Sequence, residues 1–162
     1  MKKVLIVEDE ILARLGLRQL VDWRKLELEL LPDATDGEEA LEMIRNSCPD
    51  IILLDLNIPK VSGLEILEFL KKEEMPTKVI VVSCQEEFDV VKKAMKLGAY
   101  DYLRKLNLSS DELENILEKC LVETEERITV HMQGIREIRY EEIVRDSRDI
   151  FAGTCNYQTL IC

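Results

Sequence analysis

No apolar stretch in the 162 residues approaches the ~20 positions that cross a bilayer, so a membrane-spanning helix is not expected. Glycine and proline are scarce, at 6 and 4 residues, which excludes collagen-like and low-complexity chains. With 46% hydrophobic and 34% charged residues, the composition is globular and not that of a disordered chain. The five cysteines, Cys48, Cys84, Cys120, Cys155 and Cys162, are odd in number and contain no C-x-x-C pair. Neither a disulfide framework nor a zinc site is indicated, and reduced thiols are expected. Positive charge is in deficit: 22 basic residues face 33 acidic ones, a net charge of -11. Phosphate backbones recruit Lys and Arg, so direct nucleic-acid binding by this chain is disfavoured. Met1-Lys2-Lys3 resembles the basic front of a signal peptide, but Glu8 ends the apolar run after four positions. A cytoplasmic location is therefore expected. The length fits one domain plus an appendage and excludes a large multidomain enzyme.

Three runs are apolar at every position: Val4 to Val7, Ile51 to Leu54 and Val79 to Val82. Rich in β-branched residues, they read as strands buried on both faces. Glu27 to Leu31 and Ala99 to Leu103 are mixed and read as edge strands. Helical patterns separate them. The first places Ile11, Leu12, Leu15 and Leu20 on one face. The second opens with Asp36-x-x-Glu39, a capping-box-like start that uses Asp, and carries Ala40, Leu41 and Ile44. The third carries Leu64, Leu67 and Leu70. The fourth carries Phe88, Val91, Ala94 and Met95 and stops at Gly98. The fifth starts at Ser109-x-x-Glu112, with Leu108 and Leu113 as a staple, and continues through Ile116, Leu117, Cys120 and Leu121. Five strand-helix repeats imply an α/β fold: a five-stranded parallel sheet with helices on both faces. With the mixed strands at the edges, the strand order is 2-1-3-4-5. Winding then reverses between strands 1 and 3, and ligands of such sheets bind beyond the carboxyl ends at that reversal.

Glu8, Asp9 and Glu10 follow strand 1 and Asp55 follows strand 3, so several carboxylates meet at the reversal. Two like charges ~4 Å apart repel by roughly 4 kcal/mol at an effective dielectric near 20, so the cluster needs a cation or a proton. A hard divalent ion such as Mg²⁺, which takes one or two carboxylates and phosphate oxygens, meets that need; the alternative is a solvated acidic loop. Strand 4 ends at the Ser83 hydroxyl, and strand 5 runs out through Tyr102 to the Lys105 ammonium. A nucleophilic carboxylate, a metal site and donors on one rim are the equipment of phosphoryl transfer.

Glu8-Asp9, Asp55 with Pro59 and Gly63, Ser83 and Lys105, in order at successive strand ends, resemble the receiver domain of two-component response regulators. The likeness covers residues 2–122. Val21-Asp22-Trp23, Asp36 to Leu41 and Lys96 to Leu103 are similar to the YesN/AraC-type subgroup, whose members usually carry a DNA-binding output domain. The resemblance implies that Asp55 is the phosphoacceptor, taking a phosphoryl group from a sensor histidine kinase. It implies that Asp9, Asp55 and the Asn57 backbone carbonyl hold Mg²⁺, with Glu8 acting through water. Lys105 and Ser83 would bind phosphoryl oxygens, and Tyr102 would change rotamer with Ser83. Read-out would run through the face of helix 4, strand 5 and helix 5, altering partner contacts or a homodimer. Two positions depart from the family. Leu106 stands where Pro is usual after the lysine, which puts the direction of Lys105 in question, and Cys84 is bulkier than the usual small residue.

A haloacid-dehalogenase-like phosphatase also uses a strand-end Asp, but needs an acid-base Asp where Asn57 stands. A receiver-like interaction module that is never phosphorylated is the other alternative. The expected protein is a signalling phosphoacceptor with at most slow autodephosphorylation, not an enzyme. Residues 1–122 form the receiver. Residues 123–162 read as a helical linker or a truncated remnant of an output region, with the output domain missing. His131, the single histidine, reads as a surface residue.

Overall fold

The computed structural model describes residues 1–84 and 87–123. Five strands, β1 (Lys2–Val7), β2 (Leu28–Leu30), β3 (Ile51–Leu54), β4 (Lys78–Ser83) and β5 (Asp101–Arg104), alternate with α1 (Ile11–Leu20), α2 (Gly37–Ser47), α3 (Gly63–Lys72) and α4 (Phe88–Lys96). A 3₁₀ turn, Lys105–Asn107, follows β5, and a further helix, α5, begins at residue 110 and continues through 123. All pairings are parallel and the order is β2-β1-β3-β4-β5, as the strand patterning implies. Met1–Cys120 form one compact unit. The expected extension beyond residue 123, His131 included, lies outside the described residues.

The central strands are buried from Val4 to Val7, Ile51 to Leu54 and Val79 to Ser83, with Val4, Leu5 and Ile6 of β1 and Ile80 and Val81 of β4 fully inaccessible. Strand side chains alternate between faces. Leu5, Val7, Ile52, Leu54, Val79 and Val81 form one core with Ala40 and Ile44 of α2, Ile66, Leu67 and Leu70 of α3, and Ala94 of α4. The opposite set, Val4, Ile6, Leu53, Ile80 and Val82, is equally buried, as are Leu17 of α1 and Leu113 and Leu117 of α5.

Helix ends follow local chemistry. The Asp36 side chain accepts from the Glu39 N–H at 2.9 Å, but Glu39 caps the Thr35 N–H and hydroxyl instead of Asp36, so the expected box is shifted by one residue. Helix α3 carries a complete box between Ser62 and Glu65. The fifth helix receives the predicted Ser109 cap on Glu112. Gly98 sits at φ +96°, the left-handed turn that ends α4. Strand β2 starts only at Leu28, because Glu27 occupies the left-handed region at φ 56°.

The predicted inner face of α1 is corrected by the structure. Ile11, Leu12 and Leu15 are exposed by 64%, 84% and 48%, while Leu17 is the buried residue of the helix. The less exposed arc of the helix is made by Leu17 with the half-buried Ala13 and Leu20. The remaining apolar residues form an outward strip. Phe88 and Met95 of α4 are likewise exposed, at 75% and 44%, leaving Ala94 as the buried residue.

Candidate functional site

Pairing of Val7 with Leu54 brings the ends of β1 and β3 level, so Glu8 and Asp55 leave the sheet side by side. The Asp55 N–H donates to Val7 O at 3.0 Å, and the Glu8 N–H donates to Ala34 O at 3.0 Å. These bonds carry the ladder one residue past the strands and fix where both side chains start. Helix α3 begins close behind: a Cβ on Gly63 would come within 2.7 Å of Asp55 O, and the Gly63 N–H donates to Leu56 O at 3.1 Å. Glycine is therefore required at that position. Across the loop, a Cβ on Gly37 would overlap the Val61 carbonyl oxygen, and the Gly37 N–H donates to Pro59 O at 3.1 Å. The β3-α3 loop is thus held to the start of α2.

One carboxylate oxygen each from Glu8, Asp9 and Asp55 lie within 4.8 Å of one another. Strand β5 lies two spacings from β3, ~9.6 Å away, so only a long side chain reaches from its end to Asp55. Lys105 does so. Its Nζ donates to Asp55 Oδ2 at 2.7 Å and stands 2.6 Å from Glu8 Oε2. Leu106, itself 76% exposed, does not deflect it. The Asn57 N–H donates to Asp55 Oδ1 at 3.2 Å, and the Glu10 N–H donates to Glu8 Oε1 at 3.1 Å. The buried polar or charged residues among those described are Glu8, Asp55 and Ser83, three residues of one rim. Ser83 is wholly inaccessible at the end of β4, whereas Asp9, Asn57 and Cys84 are exposed. Tyr102 is half-buried, packed against the core from β5.

The electrostatics follow from this packing. Burial pushes the Glu8 pKa above the ordinary carboxylate value, against the opposing pull of Lys105 and the Glu10 N–H. For Lys105, burial acts to lower the pKa, but its contacts with Asp55 and Glu8 more than offset it, and the ammonium is held above its ordinary value. Glu8 Oε2 is sealed from solvent, with the Lys105 ammonium 2.6 Å away. Two oxygens on one Mg²⁺ lie at most ~4.2 Å apart, close to the 4.8 Å that spans the three carboxylates. The donor set, all hard oxygen, fits Mg²⁺.

The response regulator receiver domain profile matches residues 4–118, and this match spans every element that builds the site. The chain belongs to that family. The receiver is 33% identical over 118 residues to an uncharacterized response regulatory protein of Staphylococcus epidermidis, covering 73% of this chain and 46% of that one. It is 30% identical over 141 residues to the uncharacterized transcriptional regulatory protein YesN of Bacillus subtilis, covering 87% of this chain and 38% of the relative. The chain spans about half or less of the length of these curated relatives. Among solved structures, the receiver superposes on the REC domain of AraT, a response regulator from Geobacillus stearothermophilus, with a TM-score of 0.71 and 32% identity over 78% of this chain and 97% of that one. A receiver is a signalling component and not an enzyme of the ordinary turnover kind. Among the described residues no helix is long and apolar enough to cross a membrane.

Sequence reasoning alone did not single out Arg14 or Asp33. Arg14 Nη1 donates to the carbonyls of Glu8 (2.7 Å) and Asp9 (3.3 Å) and so touches the acidic loop from behind. The signal available was a basic residue one turn into the helix that follows an acidic triplet.

Proposed function

We propose that this receiver is the phosphoacceptor of a two-component system, with Asp55 taking a phosphoryl group from the phosphohistidine of a sensor histidine kinase. The observation that carries the proposal is the meeting of Glu8, Asp9 and Asp55 within 4.8 Å, with Lys105 bonded to Asp55. In this reading an Asp55 oxygen attacks phosphorus, the N–P bond breaks, and an acyl phosphate forms on the carboxylate. Asp9, Asp55 and the Asn57 carbonyl would hold Mg²⁺, and Glu8 would assist through water. The ion supplies charge neutralisation for the incoming phosphoryl group when bound. Lys105 then follows its attraction from carboxylate to phosphoryl oxygen, and Ser83 donates to another.

Residues 1–122 are assigned to this receiver. The apolar strip of Ile11, Leu12 and Leu15, in the helix that begins beside the acidic loop, supports docking of the phosphodonor protein there. Movement of Ser83 would be felt by Tyr102, because Val81 pairs with Tyr102 and Ser83 with Arg104 across the β4-β5 ladder. Exposed Phe88 and Met95 on α4 support a read-out face of α4, β5 and α5, through partner contacts or a homodimer. The segments similar to the YesN/AraC-type subgroup favour transcription regulation as the output and a cytoplasmic setting.

The test is incubation with a small-molecule phosphodonor and Mg²⁺, followed by intact mass spectrometry. A single phosphoryl adduct on wild type and none on Asp55→Ala supports the reading. Modification of both proteins equally, or sustained hydrolysis of a phosphomonoester over many turnovers, overturns it in favour of the phosphatase alternative. No adduct on either points to the unphosphorylated interaction module.

A further inference from the structure

We infer that Arg14 is a positioning residue that holds the acidic loop in register for the divalent cation, an inference that rests on the receiver reading above. Glu8 and Asp9 lie past the last paired residue of β1, where a loop backbone ordinarily has freedom to turn its side chains away. Here it is tied from both sides. On the sheet side the Ala34 N–H donates to Ile6 O at 2.9 Å and the Glu8 N–H donates to Ala34 O at 3.0 Å, extending the β1-β2 ladder by a bridge between Val7 and Ala34. On the helix side one guanidinium nitrogen of Arg14 donates to both the Glu8 and Asp9 carbonyls. The guanidinium is itself fixed, because its Nε lies 3.7 Å from Asp33 Oδ2, and Asp33 is the residue before Ala34. Arg18 Nη1 grips the other oxygen, Asp33 Oδ1, at 2.6 Å. The chain of contacts closes on itself: β1 to Ala34, Ala34 to Asp33, Asp33 to Arg14, and Arg14 back to the two residues that leave β1.

Three features separate this from an ordinary surface ion pair. Arg14 and Asp33 are each only 16% exposed in their side chains. The acceptors are carbonyls, so the contact sets backbone direction and leaves the Glu8 and Asp9 carboxylates unclaimed by the guanidinium. Asp33 offsets part of the charge of Arg14, since it shares its carboxylate with Arg18. Arg14 thus acts through the loop on the metal-binding oxygens and has no contact with the reacting carboxylate of Asp55.

The experiment is isothermal titration of Mg²⁺ into the full 162-residue chain, wild type and the variants Arg14→Gln, Arg14→Lys, Arg18→Gln and Asp9→Asn, with thermal unfolding in metal-free buffer to show that each folds. Groups that orient metal ligands typically affect affinity ten- to a hundredfold, and a backbone tether belongs at the low end, so Arg14→Gln is expected to weaken Mg²⁺ about tenfold. Arg14→Lys, which keeps one donor head for the carbonyls, should recover part of that loss. Arg18→Gln also loses an Asp33 contact but leaves the carbonyls held, and should weaken binding by less than about threefold. Wild-type affinity in Arg14→Gln, or equal weakening in Arg14→Gln and Arg18→Gln, overturns the positioning role alone. A wild type that takes up no Mg²⁺, or one whose binding survives Asp9→Asn unchanged, overturns the metal site of the receiver reading and this inference with it.

Discussion

Replacing Lys105 by Met removes the one ammonium that faces two buried carboxylates, and the structure sets the size of the consequence. At 2.6 and 2.7 Å, each contact is worth about 6 kcal/mol of attraction at an effective dielectric near 20. Most of that is returned as the cost of burying the charges, and removing one partner of a buried pair typically costs 3–5 kcal/mol, so a loss of about 3 kcal/mol is expected here. The sign of the pH dependence provides a second check. Burial raises the Glu8 pKa above 4.5 in the folded state, so its ionisation penalises folding, and that penalty grows as pH rises through 4.5 to the folded value. Without Lys105 the folded value moves higher still, and acidification from neutral pH should recover part of the lost stability. In wild type the raised Lys105 pKa acts oppositely: its stabilisation is complete below 10.5 and is lost only as pH rises through the folded value. The assay is urea denaturation in EDTA, since Mg²⁺ at a hundredfold excess over its Kd adds about 2.7 kcal/mol and would mask the difference. A Lys105→Met variant within about 0.5 kcal/mol of wild type, or one that loses further stability on mild acidification, would refute the electrostatic reasoning.

Ser62→Ala removes the reciprocal cap of α3 and should cost about 1 kcal/mol by chemical denaturation, with no change in the far-ultraviolet spectrum of the folded protein. Gly37→Ala forces a methyl into the Val61 carbonyl and should destabilise by roughly 2–4 kcal/mol, visible as a lower thermal midpoint. The Asp36 and Glu65 carboxylates are held below their ordinary pKa values, chiefly by the backbone N–H groups of Glu39 and Ser62 respectively. Each therefore contributes stability that is present above its unfolded pKa, 3.8 or 4.5, and is lost as pH falls through the folded value. Asp36→Asn should accordingly flatten the acid limb of the stability profile.

The topology was legible because three wholly apolar runs, Val4 to Val7, Ile51 to Leu54 and Val79 to Val82, admit few arrangements once helices lie between them. Strand order followed from the mixed composition of the two edges, and with it the neighbourhood of Glu8 and Asp55. What failed was the face of α1. Ile11, Leu12 and Leu15 satisfy a helical period, but periodicity does not say which of two apolar arcs is the less exposed, and the smaller one, around Ala13 and Leu17, is. The direct contact between Glu8 and Lys105 was also not legible. It depends on a side chain crossing three strand spacings, and Leu106 in place of proline left its direction undetermined from sequence. Arg14 left only a faint signal for a related reason: its acceptors are carbonyls, which leave no mark in a sequence. The capping boxes are intermediate. Asp36-x-x-Glu39 marked the correct helix start, yet Glu39 turned to Thr35, one residue upstream of the expected partner.

The most direct test of the central claim is crystallography of the metal-loaded protein with Mn²⁺ in place of Mg²⁺, located by its anomalous scattering. The account predicts one peak between the Asp9 and Asp55 carboxylates, within bonding distance of both and of the Asn57 carbonyl, with the Lys105 ammonium beside Asp55. A peak elsewhere, or none at that position under saturating Mn²⁺, would contradict it.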